Sequence, residues 1–210
     1  MIRSSLRRTA IRVRVRCGRL ADDIRGVAAV EFGVIAPVLI IMLIGVFEVT
    51  RAVSIDRRFG QVTSMVADLV AREENMTRAD LEAIYDIVDH VMGVWGTDTL
   101  TLEVIPVQAD PADKNNRKVY AQTTNRPTYP VADGGDPPAV TAKAYCDSYT
   151  SLSTELLDAG ASVIVVEANY TYKPALVGVL TEQAWTDKAV LAPRNSCVDF
   201  DDNNCVSACF

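Results

Sequence analysis

One apolar stretch in the chain is long enough to cross a lipid bilayer. It covers residues 27–49 and reads VAAVEFGVIAPVLIIMLIGVFEV. As a helix, these 23 residues span about 34 Å at about 1.5 Å per residue, and a hydrocarbon core is about 30 Å thick. A soluble protein of 210 residues rarely spends 16 consecutive uncharged residues, here 32–47, on one buried helix. The sequence therefore predicts a single membrane-spanning helix.

Charge is distributed unevenly on the two sides of this stretch. Residues 1–25 carry eight arginines and two aspartates, whereas residues 26–210 carry 13 basic and 25 acidic side chains. Arginines next to a membrane span favour the cytoplasmic side, so we expect a cytoplasmic N-terminus and a translocated acidic body. An acidic body also argues against nucleic-acid binding, which needs a basic surface to neutralise phosphates.

Three other interpretations of the apolar stretch fit the residues less well. A secretory signal peptide has a shorter apolar segment of about 7–15 residues, and no small-x-small cleavage site follows this stretch cleanly. A mitochondrial transit peptide explains the arginine-rich start but not the apolar run behind it. The third interpretation is a buried core helix, and the length of the uncharged run argues against it.

Glu31 lies just inside the apolar stretch, where an ionised carboxylate is costly, although less so than at the membrane centre. One interpretation is an interfacial residue that reaches the lipid headgroups. The other involves Gly26. If the chain is cut after Gly26, Val27 carries a new α-amino group and Glu31 becomes the fifth residue. Its carboxylate then lies near a helix N-terminus, where negative charge is favoured, and pairs with an ammonium group of its own or a neighbouring chain.

These residues resemble a known cleavage region. A basic leader, Gly26, four small or apolar residues, Glu31-Phe32 and a long apolar helix resemble a type IV prepilin. The longer string RGVAAVEFGVIAPVLIIMLIGVFEVTRA, residues 25–52, is similar to the TadE-type segment of tight-adherence (Tad, Flp) pilus assembly proteins. The similar segment covers residues 24–70, about a quarter of the chain.

The resemblance implies a role for each matching residue. Gly26 and Val27 would flank the bond cut by a separate prepilin peptidase. Glu31 and Phe32 would serve recognition or helix register, and Pro37 would kink the helix. The missing adhesion-type DxSxS motif favours the short TadE/TadF-like minor pseudopilins over the longer TadG type.

Partners and location are implied in the same way. The partners would be the prepilin peptidase, other pilins and pseudopilins, and the Tad inner-membrane assembly platform. The protein would be a single-pass protein of the bacterial inner membrane with a periplasmic C-terminal domain, and it would be a structural component of the pilus system. Incorporation into an extracellular pilus is a further expectation.

Beyond the membrane span, the pattern predicts two helices. Apolar residues at three- and four-residue spacing continue the first helix, with a stripe formed by Val49, Ala52, Val53, Val62, Met65, Val66, Leu69 and Val70. The second helix starts at Thr77, an N-cap with Asp80 at the capping-box position, and ends at Gly93 or Gly96. Its apolar face consists of Leu81, Ile84, Tyr85, Ile87, Val88, Val91 and Met92.

The remaining residues alternate with the period of strands. We predict strands at 100–107, 118–124, 163–172 and 185–191, and a short helix at 153–157. The fold class is therefore α+β, with the membrane helix continuing into a stalk helix and a small antiparallel sheet packed on helices. The expected domains are a basic cytoplasmic leader (1–26), the transmembrane helix (27–49), a helical stalk region (50–96) and a periplasmic head (97–210).

Four of the five cysteines fall in the part expected to lie outside the cytoplasm: Cys146, Cys197, Cys205 and Cys209. An even number in an oxidising compartment suggests two disulfides, with three possible pairings. A bridge from Cys146 to the tail and another within the tail is the favoured arrangement. Zinc is a rival, but the C-x7-C-x3-C spacing has no CxxC knuckle. We expect no metal and no cofactor.

The sequence offers no catalytic motif. Its single histidine, His90, is expected at the surface of the second helix, and there is no nucleophile elbow, P-loop, dinucleotide fingerprint or H-E-x-x-H. The prediction is therefore a non-enzymatic minor pseudopilin. The alternatives are an uncleaved, membrane-anchored periplasmic binding or scaffold protein, and a secreted hydrolase whose mature chain starts near residue 50.

Overall fold

A computed structural model of the chain describes residues 25–93, 97–121, 127–131, 142–153, 155–175, 181–200 and 209–210. Nearly all of the expected leader, 1–26, lies outside the described residues. The chain forms two compact units, with the boundary between Val49 and Thr50. The elements are α1 (Arg25–Arg72), α2 (Arg78–Met92), β1 (Leu100–Ala109), β2 (Arg117–Val119), β3 (Ser162–Tyr172) and β4 (Gln183–Leu191).

The first unit contains the N-terminal half of α1. The helix continues through Pro37 without a break. Side chains from Val27 to Phe47 are exposed almost without exception, on every side of the helix. Within the described residues, this is the one helix long and apolar enough to cross a membrane. A helix that is apolar all round needs a surrounding that is itself apolar.

The C-terminal half of α1 belongs to the second unit and buries one face. Its buried residues recur every three or four positions: Ile55, Phe59, Val62, Val66, Ala67, Val70 and Ala71. The predicted stripe is confirmed at 62, 66 and 70 and is wrong at Val49 and Val53, which are 50% and 44% exposed. A 3.6-residue period carried back from Val62 falls on Phe59 and Ile55, which the prediction left out.

Helix α2 begins and ends where the sequence predicts. Thr77 caps it, and the reciprocal hydrogen bonds between Thr77 and Asp80 complete a capping box. Gly93 is the C-cap. The buried face consists of Leu81, Tyr85, Val88 and Met92. Ile87, predicted on this face, is instead 44% exposed, because it lies about 100° around the helix from Val88.

The four strands form one antiparallel sheet in the order β2-β1-β3-β4. Strand β1 pairs with β3 from Leu100↔Tyr170 to Gln108↔Ser162. Strand β4 pairs with β3 from Tyr172↔Gln183 to Ile164↔Leu191. The α+β class and the strands at 163–172 and 185–191 are thereby confirmed.

Two further predictions need correction. The short helix expected at 153–157 is absent from the described residues there, which form turns and bends. Glu155 and Leu156 are exposed, so this short segment lacks the packing that would offset the cost of helix nucleation. The hairpin partner expected at 118–124 forms as β2, but it ends at Val119, and residues 122–124 lie outside the described residues.

Both faces of the sheet are covered. One face packs on α1 and α2 and buries the even-numbered residues of β3, among them Val166 and Tyr170. The other face buries Val163 and Val165 beneath Tyr149 and Leu152. The first half of β3 therefore sends successive side chains into two separate cores, whereas on the second face Asn169 is exposed.

A disulfide joins Cys146 to Cys209, which confirms that the head contains disulfide bonding. Cys197 is also disulfide-bonded. Cys205 lies outside the described residues. The Cys146–Cys209 bond ties the segment that crosses the second sheet face to the C-terminal residues.

Candidate functional site

The first turns of α1 hold the residues predicted for processing. Arg25 is the first described residue of helix α1, and the Gly26–Val27 bond follows it directly. Gly26 is exposed, and a Cβ added there would meet no atom within 4 Å. Val27 is 53% exposed, so the residues on both sides of this bond are accessible.

Glu31 lies one turn after Val27. The two residues are four apart, which places their side chains on the same face of α1. Glu31 is exposed, and among the described residues no side chain forms an ion pair or hydrogen bond with it. A charge in this position is available to a group outside the described part of the chain. Phe32, beside it, is 68% exposed.

The structure gathers Gly26, Val27, Glu31 and Phe32 into the first two turns of one helix, and places Pro37 about two turns further along. The disulfide cysteines lie apart from them in the second unit. The predicted residues therefore form one helical site and a separate covalent clamp.

A charged cluster on the second sheet face was not predicted from the sequence. Glu167 on β3 accepts hydrogen bonds from the Tyr149 hydroxyl and from Lys188 Nζ on β4, the latter as an ion pair at 3.0 Å. Lys143 Nζ lies 3.0 Å from Glu167 Oε2 and 3.3 Å from the nearly buried Glu103. The register of the sheet explains the cluster, because Glu103, Glu167 and Lys188 lie in one row across three strands.

The cluster shifts the pKa values of its members. Burial raises the pKa of Glu167, but hydrogen bonds from Tyr149, Lys188 and Lys143 outweigh it and lower that pKa to about 2. Burial, followed by the hydrogen bond to Glu167, raises the pKa of Tyr149. Glu167 is therefore ionised and Tyr149 neutral near pH 7, and the cluster holds the 143–149 segment on the sheet.

A groove of about 540 Å³ borders α2. The Tyr129 hydroxyl donates to Asp89 Oδ1 at 2.6 Å, and the Tyr85 hydroxyl donates to the Pro127 carbonyl at 2.7 Å. Burial, followed by the hydrogen bond to Asp89, raises the pKa of Tyr129 to about 12. The groove is lined by Glu82, Tyr85, Asp86, Asp89, Thr97, Tyr129, Pro130 and Val131.

The described part of the chain contains no group of three His, Cys, Asp or Glu side chains that could hold a metal ion. His90 is exposed on α2, with Nδ1 2.8 Å from the Asp86 carbonyl oxygen of the preceding turn. This position agrees with the surface placement predicted for it.

Comparison with known proteins identifies the N-terminal segment. Residues 26–68 match the model of the family described as TadE-like protein. This segment is TadE-like. The match starts at Gly26, includes Glu31, Phe32 and Pro37, and covers about a fifth of the chain. Searches of curated proteins and of solved structures found no match.

The TadE-like match confirms the resemblance seen in the sequence. It indicates a component associated with a Tad pilus, and it favours a structural role over a catalytic one, because TadE-like pilus components are structural proteins. The matched residues span both the exposed half of α1 and most of its buried continuation.

Proposed function

We propose that this protein is a minor pseudopilin, an assembly component of a Tad-type pilus that a prepilin peptidase cleaves between Gly26 and Val27. One observation carries the proposal: the TadE-like match begins at Gly26, within a helix whose next 21 residues are nearly all exposed and apolar. A helix of this kind has no stable place in water and suits a bilayer or the packed helices of a pilus.

Residues 1–26 act as the cytoplasmic leader, 27–49 as the inner-membrane span, 50–96 as the stalk and 97–210 as the periplasmic head. The arginines before the span support this orientation. The disulfide between Cys146 and Cys209 supports it independently, because structural disulfides persist in oxidising compartments such as the periplasm.

Glu31 sets helix register in this proposal. After cleavage, the carboxylate of Glu31 pairs with the α-amino group of Val27 from its own or a neighbouring chain, and this pairing offsets the cost of placing a charge in an apolar layer. Phe32 contributes to recognition, and Pro37 provides a kink for packing. The partners are the prepilin peptidase, other pilins and pseudopilins, and the inner-membrane assembly platform.

The first test is the N-terminus of the mature protein. Membranes from cells with and without the prepilin peptidase are analysed by intact mass and N-terminal sequencing. We expect a chain that begins at Val27 only when the peptidase is present. A chain that keeps residues 1–26 in both cells would instead identify an uncleaved anchored protein, and a start near residue 50 would identify a secreted one.

A matched pair of variants makes this test specific. Gly26→Val should abolish cleavage, whereas Gly33→Val should leave it intact. Both glycines are exposed helical residues, and a Cβ at either meets no atom within 4 Å. Equal cleavage of the two variants would place the scissile bond elsewhere.

Glu31→Ala tests the register role. We expect this variant to insert into the membrane and to be cleaved, but to be incorporated into pili far less than the wild type. Glu73→Ala, which removes an exposed carboxylate beyond α1, is the control. Normal piliation by Glu31→Ala would contradict the role in register.

A further inference from the structure

The second unit has an aromatic cluster that the proposed function does not use. The indole of Trp185 stacks on Tyr172, with ring centroids 5.2 Å apart and an interplanar angle of 15°. Trp185 also stacks on Tyr170 at 5.9 Å, and Tyr170 contacts Phe59 of α1 at the same distance. Tyr172 is buried, whereas Trp185 is half-buried and keeps part of its surface open.

Two contacts within this unit show which end of the sheet the cluster occupies. The Arg51 guanidinium lies over the Tyr172 ring, 6.0 Å from its centroid, and Phe59 lies beside Tyr170. From Arg51 to Phe59 the helix rises by about 12 Å. Strand β3 therefore runs antiparallel to α1 and ends at the level of Arg51.

The distance between Arg51 and the membrane follows from the position of Arg51 in the sequence. The predicted span ends at residue 49, and Arg51 is two residues, or about 3 Å, further along the helix. The headgroup layer extends about 5–7 Å beyond the hydrocarbon core on each side. If the span ends at residue 49, Arg51 and the end of β3 that it contacts lie within the depth of this layer.

We propose that this end of the second unit rests in the phospholipid headgroup layer, with Trp185, Lys173 and Gln183 as its contact residues. The proposal depends on the membrane insertion proposed above. Tyrosine and tryptophan favour the membrane interface, because their rings are apolar and their polar atoms reach water or headgroups.

The polar residues beside the aromatic rings also favour contact with phospholipid headgroups. Lys173 and Gln183 are exposed beside the two aromatic residues and supply a cation and an amide to the phosphate and ester groups. Arg51 adds a second cation at the same level. This contact would fix the depth of Arg51 in the headgroup layer.

Fluorescence quenching in vesicles tests the contact. The full chain carrying Trp95→Phe, which leaves Trp185 as its single tryptophan, is reconstituted into phosphatidylcholine vesicles. Some vesicles contain a lipid with a nitroxide on the headgroup, and others a lipid with a nitroxide near the end of the acyl chain. We expect the headgroup nitroxide to quench Trp185 several-fold more than the deep nitroxide does.

A reporter at the other end of the same strand is the control. The triple variant Trp95→Phe, Trp185→Phe, Leu191→Trp carries its tryptophan six residues, or about 20 Å, along β4. Leu191 is 36% exposed, so the site tolerates a large side chain. Neither nitroxide should quench this reporter appreciably.

Carbonate extraction of the same vesicles separates two failures. If the protein resists extraction but Trp185 is quenched no more than the Leu191→Trp reporter, water or another protein surface covers this end, and the headgroup contact is wrong while the membrane span stands. If the protein is extracted, the membrane span itself is wrong, and the headgroup contact fails with it.

Discussion

The two halves of α1 are one continuous helix adapted to different surroundings. In the first half the side chain of Phe32 is 68% exposed, and in the second half that of Phe59 is 2% exposed. The first half is apolar on every face, whereas the second alternates buried apolar residues with charged ones such as Arg57 and Arg58. The medium around each half, and not its helical propensity, accounts for the difference.

The comparison teaches how to interpret apolar residues in a long helix. A periodic apolar stripe signals a protein surface on one side, because the other side must remain in water. A continuous apolar run signals lipid or other apolar helices on all sides. The TadE-like match crosses the point where one pattern gives way to the other.

The largest expected effect comes from truncating a phenylalanine in each half. Phe59→Ala removes a ring that packs against Tyr170 in the core, and should lower the free energy of unfolding of the head by about 3–5 kcal/mol. Phe32→Ala should leave it unchanged. Urea denaturation of both full-length variants in detergent micelles measures this. Equal losses would mean that the head depends on the first half of the helix.

A lysine placed in each half of α1 should have a large effect in the first half and none in the second, the reverse of the phenylalanine truncations. Val38→Lys puts a charge at the centre of the span and should raise the apparent free energy of membrane insertion by about 2.5–3.5 kcal/mol. Ser64→Lys, at an exposed position of the second half, should not change it. Insertion assays in isolated membranes compare the two. Unchanged insertion of Val38→Lys would argue against a membrane-spanning first half.

The smallest expected effect is the change in stability when a carboxylate is replaced, Glu167 in the second unit or Glu31 in the first. The folded pKa of Glu167 is about 2, against an ordinary value of 4.5. Ionised Glu167 therefore stabilises the head above about pH 4.5, and this contribution is lost as the pH falls toward 2. Glu167→Gln should cost about 1–2 kcal/mol at pH 7, because partial exposure screens the cluster.

The control for this prediction is Glu31→Gln in the first unit. The stability difference between the wild type and Glu167→Gln should shrink as the pH is lowered from 5 to 2, whereas Glu31→Gln should follow the wild type throughout. Denaturation curves at several pH values provide the measurement. A difference that is constant with pH would show that Glu167 acts by packing and not by charge.

The sequence predicts those elements whose signals are local. The long apolar helix, the Thr77 cap, the Gly93 end and the strand at 163–172 each depend on residues within a few positions of one another, and all four are found. The TadE-like match is equally local, because it covers one continuous stretch of the chain, residues 26–68.

The features that were missed depend on contacts between distant residues. The cluster around Glu167 requires the register of three strands and a segment that folds back across them, and Glu167 by itself looks like an ordinary strand carboxylate. The burial of Ile55 was missed because three charged residues follow it and suggest a solvated exit. Only the packed sheet determines which side of the helix they face.

The disulfide between Cys146 and Cys209 has a mechanical consequence. It closes a covalent ring of residues 146–209 that contains both β3 and β4. Tension applied between the two ends of the chain passes through the disulfide and not through the residues between the two cysteines, whose sequence separation is 63. Without the disulfide, unfolding of this segment would lengthen the chain by about 200 Å. A pilus component under load could therefore lose β1, but the pairing of β3 with β4 lies outside the path of the force.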